Sequence, residues 1–259
     1  MSSKSTDGRP NTSSQPEASD ASIGSAPQQH ILTEQIDYYR ERASEYDEWF
    51  FRQGRYDRGT AHRTAWLNEA AIVEAALREV LPEGDILELA CGTGLWTRHL
   101  ATGNRRIVAV DASPETIALN QARVRSDSVE YVVTDLFAWT PPPGAFDAVF
   151  FGFWLSHVPA ERFEAFWHLV RTALKPTGIA FFVDSMLEQT SSAVNHPPVD
   201  ESGIVLRRLN DGRSFRIVKV FYEPAVLQRQ LTERGWRGWV RSTGTFFVYG
   251  SVAPASGRR

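Results

Sequence analysis

The chain has 259 residues, 42% of them hydrophobic, 12% aromatic and 23% charged, with a formal net charge of −3. That composition suits a soluble protein with one sizeable core, and it exerts no global pull toward nucleic acid or an anionic membrane. No apolar run approaches the ~20 residues needed to cross a bilayer, and a single cysteine, Cys91, excludes an intramolecular disulfide.

Residues 1–30 are rich in Ser, Thr, Asp, Pro, Gln and Gly and lack the basic-then-apolar order of a secretory signal. They read as a disordered tail, and the chain as cytoplasmic. Ile36, Tyr39, Ala43, Tyr46 and Phe50 recur at helical spacing, which predicts one amphipathic helix over 31–52. A polar loop, Gln53 to Gly59, precedes a second helix over 61–81 that stops at Pro82-Glu83-Gly84. Strand and helix then alternate: 85–90, 95–102, 106–110, 114–125, 129–134, 146–151, 160–174 and 179–185. Such alternation predicts a parallel sheet with helices on both faces. Further on, Asn210-Asp211-Gly212 is a hairpin turn between runs 204–209 and 213–222. A helix from Pro224 and two strands, 236–241 and 245–252, complete the order.

The most informative stretch is Ile86 to Gly94, Ile-Leu-Glu-Leu-Ala-Cys-Gly-Thr-Gly. An apolar run breaks into two glycines one residue apart and an amphipathic segment starts at once, as at a strand, tight turn and helix N-terminus. In open sheets a nucleoside-bearing ligand sits at this turn. The dinucleotide fingerprint wants a third glycine where Thr97 stands, and Glu88 would repel a pyrophosphate but attract an ammonium group. Asp111 ends the next strand run, about 20 residues on, where a carboxylate can accept from ribose hydroxyls. Asp135, followed by Leu136, ends the third.

Glu-x-Ala-Cys-Gly-Thr-Gly resembles the first motif of the class I S-adenosylmethionine-dependent methyltransferases, and Asp37-Tyr38-Tyr39 with Glu45-Tyr46-Asp47 resembles the N-terminal segment of their ubiquinone/menaquinone-type branch. The resemblance implies an α/β, Rossmann-like, doubly wound sheet of seven mostly parallel strands with an antiparallel terminal strand, and an N-terminal helical lid. It implies one domain over 31–259, comprising N-terminal helices (31–82), a cofactor-binding core (83–188) and a substrate-side insert with closing strands (189–259). S-adenosylmethionine is the implied cofactor. Tyr38, Tyr46, Glu88, Ala90, Cys91, Gly92, Gly94, Asp111, Ala112, Asp135, Leu136 and Phe151 are its expected contacts.

The segment Phe151-Gly152-Phe153-Trp154-Leu155-Ser156-His157 falls at the carboxyl edge of the sheet, beside the reactive end of such a cofactor. It lacks the acidic-or-amide, proline-proline, aromatic pattern of nucleic-acid amino methyltransferases. His157 is a candidate base, its ordinary pKa lying near 6.5, and Trp49, Arg58, Phe153 and Trp154 are candidate walls of an acceptor pocket. The expected reaction is O-methylation of a small aromatic or apolar hydroxyl compound, without metal, nucleic acid or membrane. N-, C- or S-methylation, a non-catalytic S-adenosylmethionine-binding protein, an NAD-type oxidoreductase and an RNA methyltransferase remain as alternatives. Oligomeric state is not legible.

Overall fold

A computed structural model describes Met1, residues 26–197 and residues 203–255. Most of the expected tail lies outside the described residues, but helix α1 (Ala26–Glu41) starts five residues earlier than the periodicity predicts. The single helix expected over 31–52 is in fact broken. After α1, a 3-10 turn over Ala43–Glu45 re-aims the chain before α2 (Tyr46–Phe50). Helix α3 (Thr60–Val80) follows as predicted.

The core alternates β1 (Asp85–Leu89), α4 (Thr97–Leu100), β2 (Arg106–Asp111), α5 (Pro114–Val124), β3 (Val129–Val133), β4 (Phe146–Gly152), α6 (Phe163–Ala173) and β5 (Leu174–Ser185). Then come the hairpin β6 (Ile204–Arg208) and β7 (Ser214–Val218), helix α7 (Pro224–Glu233), β8 (Trp236–Ser242) and β9 (Phe247–Pro254). The main sheet has seven strands in the order β3-β2-β1-β4-β5-β9-β8, with β9 antiparallel to both its neighbours. Chain order reverses between β1 and β4, and this switch point opens a crevice at the carboxyl edge.

Strand alternation decides which side chains reach which layer. Ile86, Ala148 and Phe150 face a core shared with Trp66, Val73 and Leu77 of α3 and with Ile117 of α5. Leu87, Leu89, Val149 and Phe151 face the opposite core, with Phe166 and Trp167 of α6 and Leu227 of α7. A smaller cluster joins Tyr38 of α1 to Val205 and Ile217 of the β6–β7 hairpin. Glu34 of α1 bonds Arg216, and Gln35 accepts from the Val218 N–H at 3.0 Å, so helix and hairpin form one cap over the crevice. Among the described residues no helix is long and apolar enough to cross a membrane.

Candidate active site

The turn after β1 is built on left-handed backbone. Ala90 has φ 53°, Gly92 φ 52° and Gly94 φ 86°. A left-handed alanine is uncommon and marks a loop whose shape is imposed by its surroundings. Those surroundings are visible. Asp111, at the tip of β2, accepts from the Gly92 N–H and the Ser113 N–H, each at 2.9 Å, and from the Thr116 hydroxyl at 3.2 Å. Asn120 of α5 donates to the Gly92 carbonyl at 3.1 Å and to the Thr97 hydroxyl at 2.8 Å. From the cap, Asp47 accepts from the Thr93 hydroxyl at 2.7 Å and pairs with Arg123.

A cavity lies between this turn and α1. Ala90, Gly92, Asp111, Ala112, Asp135, Leu136, Phe153 and Trp154 line it from the sheet edge, and Leu32, Ile36, Tyr39 and Tyr46 close it from the cap. A Cβ added at Gly92 meets nothing within 4 Å. The turn thus offers bare backbone to a ligand, with a carboxylate and an aromatic wall alongside. That donor set fits an adenosylated amino acid.

Several expected contacts sit elsewhere. Phe151 does not reach this cavity. It points into the α6 core, 5.1 Å from the Phe166 ring and 5.6 Å from Phe182, and Gly152 lines the cavity instead. Cys91 turns its thiol into the α3 core, and Gly94 packs on Asn120. Tyr38 lines a second cavity, and its neighbour Tyr39 takes the place expected for it. The helix break at 42–45 explains the exchange, because the angular spacing of Tyr38 and Tyr46 holds only for a continuous helix. Trp154, expected in an acceptor pocket, sits beside Phe137 at 5.6 Å and lines this first cavity rather than the second.

Glu88 lies under the turn and does not line the cavity. Burial pushes its carboxyl up to about 8, against a hydrogen bond from Thr97 and with help from the Asp111 charge, and its Oε2 has no partner. A raised folded pKa means stability that is complete below the unfolded value near 4.5 and lost as pH climbs through about 8. The ligand-free wild type should therefore lose a few kcal/mol between pH 5 and pH 8.5 that Glu88→Gln retains, read as urea midpoints at the two pH values.

The second cavity, about 730 Å³, adjoins the first. Tyr39, Phe153 and His157 belong to both walls. Trp49 and Arg58, expected in an acceptor pocket, line it together with Arg42, Arg207 and Lys219. Phe153 is held at φ 56°, with its ring 4.7 Å from Trp49. His157 is buried with both ring nitrogens engaged. Nδ1 is 2.7 Å from the Val218 carbonyl, which can only accept, so Nδ1 carries the proton. Nε2 then accepts from the Tyr39 hydroxyl at 2.7 Å. Burial first, then the Lys219 charge, hold the imidazole well below its ordinary pKa. Arg42, Arg207, Lys219 and Tyr39 were not foreseen as site residues. Tyr39 alone had a signal, its place in the apolar stripe of the first helix.

Comparison with known proteins agrees with this geometry. Residues 86–178 match a family model described as a methyltransferase domain. A ubiquinone biosynthesis O-methyltransferase of Xanthomonas campestris pv. campestris (strain B100) is 32% identical over 132 residues, 49% of this chain and 53% of that protein. The chain thus spans about half the length of that curated relative. Two solved structures, a DhpI-SAH complex and a DhpI-SAM-HEP complex, each align at 42% identity and a TM-score of 0.70. The first covers 88% of this chain and 98% of the other, the second 86% and 98%. Likeness over nearly the whole length, on a sheet of this order with a glycine turn at its switch point, means that the chain belongs to the class I S-adenosylmethionine-dependent methyltransferases.

Proposed function

We propose that the chain transfers the methyl group of S-adenosylmethionine to an oxygen of a small-molecule acceptor held in the 730 Å³ cavity. The observation that carries this reading is the shared wall: Tyr39, Phe153 and His157 border both cavities, so donor and acceptor meet there. The O-methyltransferase name of the Xanthomonas campestris relative supports oxygen as the acceptor atom. Bound in the first cavity, the cofactor supplies a methyl carbon already activated by a sulfonium charge.

In this reading the chain's own residues bind and align. Ala90, Gly92 and the turn they shape hold the methionine end, Asp111 the ribose, and Asp135 with Leu136 the adenine, while Tyr46 and Trp154 close the sides. Cys91 and Gly94 act through the shape of the turn. Alignment of this kind is worth up to ~7–11 kcal/mol of a displacement barrier. His157, expected as a base, is better assigned to positioning, since its accepting nitrogen already holds the Tyr39 hydroxyl. Tyr39→Phe should then lower kcat about tenfold and leave the shape of the pH profile unchanged. A new ionisation near neutrality in the variant would return the base role to His157. The small-molecule assignment goes with a cytoplasmic enzyme that works without nucleic acid.

The test is a panel of hydroxyl compounds, organic acids, amines and thiols incubated with trideuteromethyl-labelled cofactor. Mass and nuclear magnetic resonance spectra of the product give the acceptor atom. Label on oxygen supports the reading, and label on nitrogen, sulfur or carbon refutes it.

A further inference from the structure

At the wall shared by Tyr39, Phe153 and His157 a methyl donor carries a full positive charge, yet none of these three side chains is an anion. His157 is kept neutral by burial and then by the Lys219 charge. Among the described residues the carboxylates lining the first cavity are Asp111 and Asp135. They follow β2 and β3, which lie on the far side of β1 from β4 and Phe153. Asp111 is also occupied by the Gly92 and Ser113 N–H groups and the Thr116 hydroxyl. On the second cavity the lining carboxylate is Glu188, which accepts from the N–H and the hydroxyl of Thr190. Asp184 lines neither cavity; it accepts from the Ser156 and Ser185 N–H groups and pairs with Lys219.

What the junction offers instead is aromatic. Tyr39, Tyr46, Trp49 and Phe153 form an arc of neighbouring rings, with centroids 6.4, 6.2 and 4.7 Å apart in that order. The arc runs from the first cavity to the second: Tyr46 lines the first, Trp49 the second, and Tyr39 and Phe153 both. Interplanar angles of 56°, 59° and 84° mean that no two of these rings stack. The face of an aromatic ring is electron-rich, and a cation within about 6 Å of its centroid is attracted to it.

Each ring is fixed from outside the junction. The Tyr39 hydroxyl is held by His157, and the Trp49 indole N–H donates to the Ser191 carbonyl at 3.0 Å. Phe153 keeps a left-handed backbone, φ 56°, although its side chain is bulky, and its N–H donates to the Val183 carbonyl at 2.7 Å. Gly152 beside it leaves room for Trp96, since a Cβ there would stand 3.1 Å from the indole Cδ1. Backbone strain of this kind persists where the surrounding structure imposes it, and it clusters at ligand sites. Tyr46 already holds one cation: the Arg42 guanidinium lies 4.9 Å from its centroid, and 5.5 and 5.8 Å from those of Tyr38 and Tyr56. Among the described residues no carboxylate pairs with Arg42, so ring faces accommodate a buried charge elsewhere in this cap.

We propose that Tyr39, Tyr46, Trp49 and Phe153 form an aromatic cage that grips the sulfonium charge of the donor and releases the neutral thioether, so that the site tells S-adenosylmethionine from S-adenosylhomocysteine. This rests on the reading that transfer takes place at the shared wall. When the methyl carbon bonds to the acceptor, the C–S electron pair stays on sulfur, and the charge and its attraction to the rings end together. The cage thus sets the competition between fresh donor and spent product, while the glycine turn and the strand-end carboxylates bind the parts that the two share.

The experiment is calorimetric titration of the full chain, without acceptor, using three probes. They are S-adenosylmethionine, sinefungin, whose ammonium group stands in place of the sulfonium, and S-adenosylhomocysteine. Site-specific replacement of Phe153 by 4-fluorophenylalanine and by pentafluorophenylalanine keeps the shape of the ring and drains its face of electron density. The expected result is a stepwise loss for the two cationic probes, reaching about fivefold or more with five fluorines. S-adenosylhomocysteine should stay within about twofold, which also reports an intact fold. Trp49→Leu should lower the ratio of donor to product affinity in the same sense.

Equal losses for cationic and neutral probes in the fluorinated series overturn the cage and leave the shared wall as the meeting point, the ring then acting through its bulk alone. Affinities that do not move for any probe, in the fluorinated series and in Trp49→Leu, overturn the cage and the meeting point together. A product that is lost more than the donor overturns the cage as well, because the rings would then favour the neutral form.

Discussion

Asp111→Ala should weaken S-adenosylhomocysteine binding by about 3 kcal/mol, somewhat more than a hundredfold. The figure exceeds what two ribose hydrogen bonds alone would lose. In the folded chain Asp111 also accepts from the Gly92 N–H, the Ser113 N–H and the Thr116 hydroxyl. An alanine leaves those donors unpaired in a buried setting, at roughly 1–3 kcal/mol each for a buried donor that finds no water. The glycine turn then has no anchor on β2, and the ribose has no acceptor. Burial raises the Asp111 pKa against these hydrogen bonds, so a cationic ligand nearby favours its ionised form and adds to the loss in the variant. Calorimetry on both proteins decides the matter, with Asp111→Asn as an intermediate. An affinity within threefold of wild type for Asp111→Ala would remove the residue from the cofactor site.

Why Asp111 and the glycine turn were legible while the cationic wall of the larger cavity was not follows from how each is made. The cofactor cavity is assembled from strand ends, and a strand end is written locally, as an apolar run, a carboxylate and a turn. Ala90, Gly92, Asp111, Ala112, Asp135 and Leu136, contacts that the motif resemblance implies, all line the cavity at such strand ends. The misplaced contacts share one feature, a direction that local pattern does not carry. In Phe150-Phe151-Gly152-Phe153-Trp154 every position but one is aromatic, so period-two alternation gives no sign of which ring faces which core. Tyr38 and Tyr39 differ by one residue, and the break at Ala43–Glu45 decides which of them meets the cofactor cavity. Arg42 and Arg207 are 165 positions apart, and only the docking of α1 on the β6–β7 hairpin puts both on one wall. A sequence reading therefore recovers Trp49, Arg58 and Phe153 on the wall of the larger cavity and misses the arginines that complete it.

Two alanine substitutions two residues apart, at Gly92 and Gly94, should separate the fold of the turn from its use. At Gly94, with φ 86°, an added Cβ would lie 2.6 Å from Asn120 Oδ1, 2.8 Å from its Cγ and 3.2 Å from its Cα. Asn120 cannot yield cheaply. It is fully buried, donates to the Cys91 and Gly92 carbonyls and to Thr97, and accepts from the Tyr131 hydroxyl at 2.8 Å. A positive φ costs an alanine ~1–2 kcal/mol, overpacking adds ~1–3, and the disturbed network adds more. Gly94→Ala should thus destabilise the chain by about 3–5 kcal/mol and weaken S-adenosylhomocysteine at least a hundredfold. At Gly92 the added Cβ meets no protein atom within 4 Å, so the fold should lose only the ~1–2 kcal/mol of backbone strain. That methyl nevertheless stands on the cofactor's side of the turn, where a ligand approaches bare backbone. Gly92→Ala should therefore lose affinity out of proportion to stability, with urea midpoints read beside calorimetric affinities. If Gly92→Ala bound as wild type, the ligand would not touch the turn at that residue. If Gly94→Ala kept wild-type stability, Asn120 would not be the staple that fixes the shape of the turn.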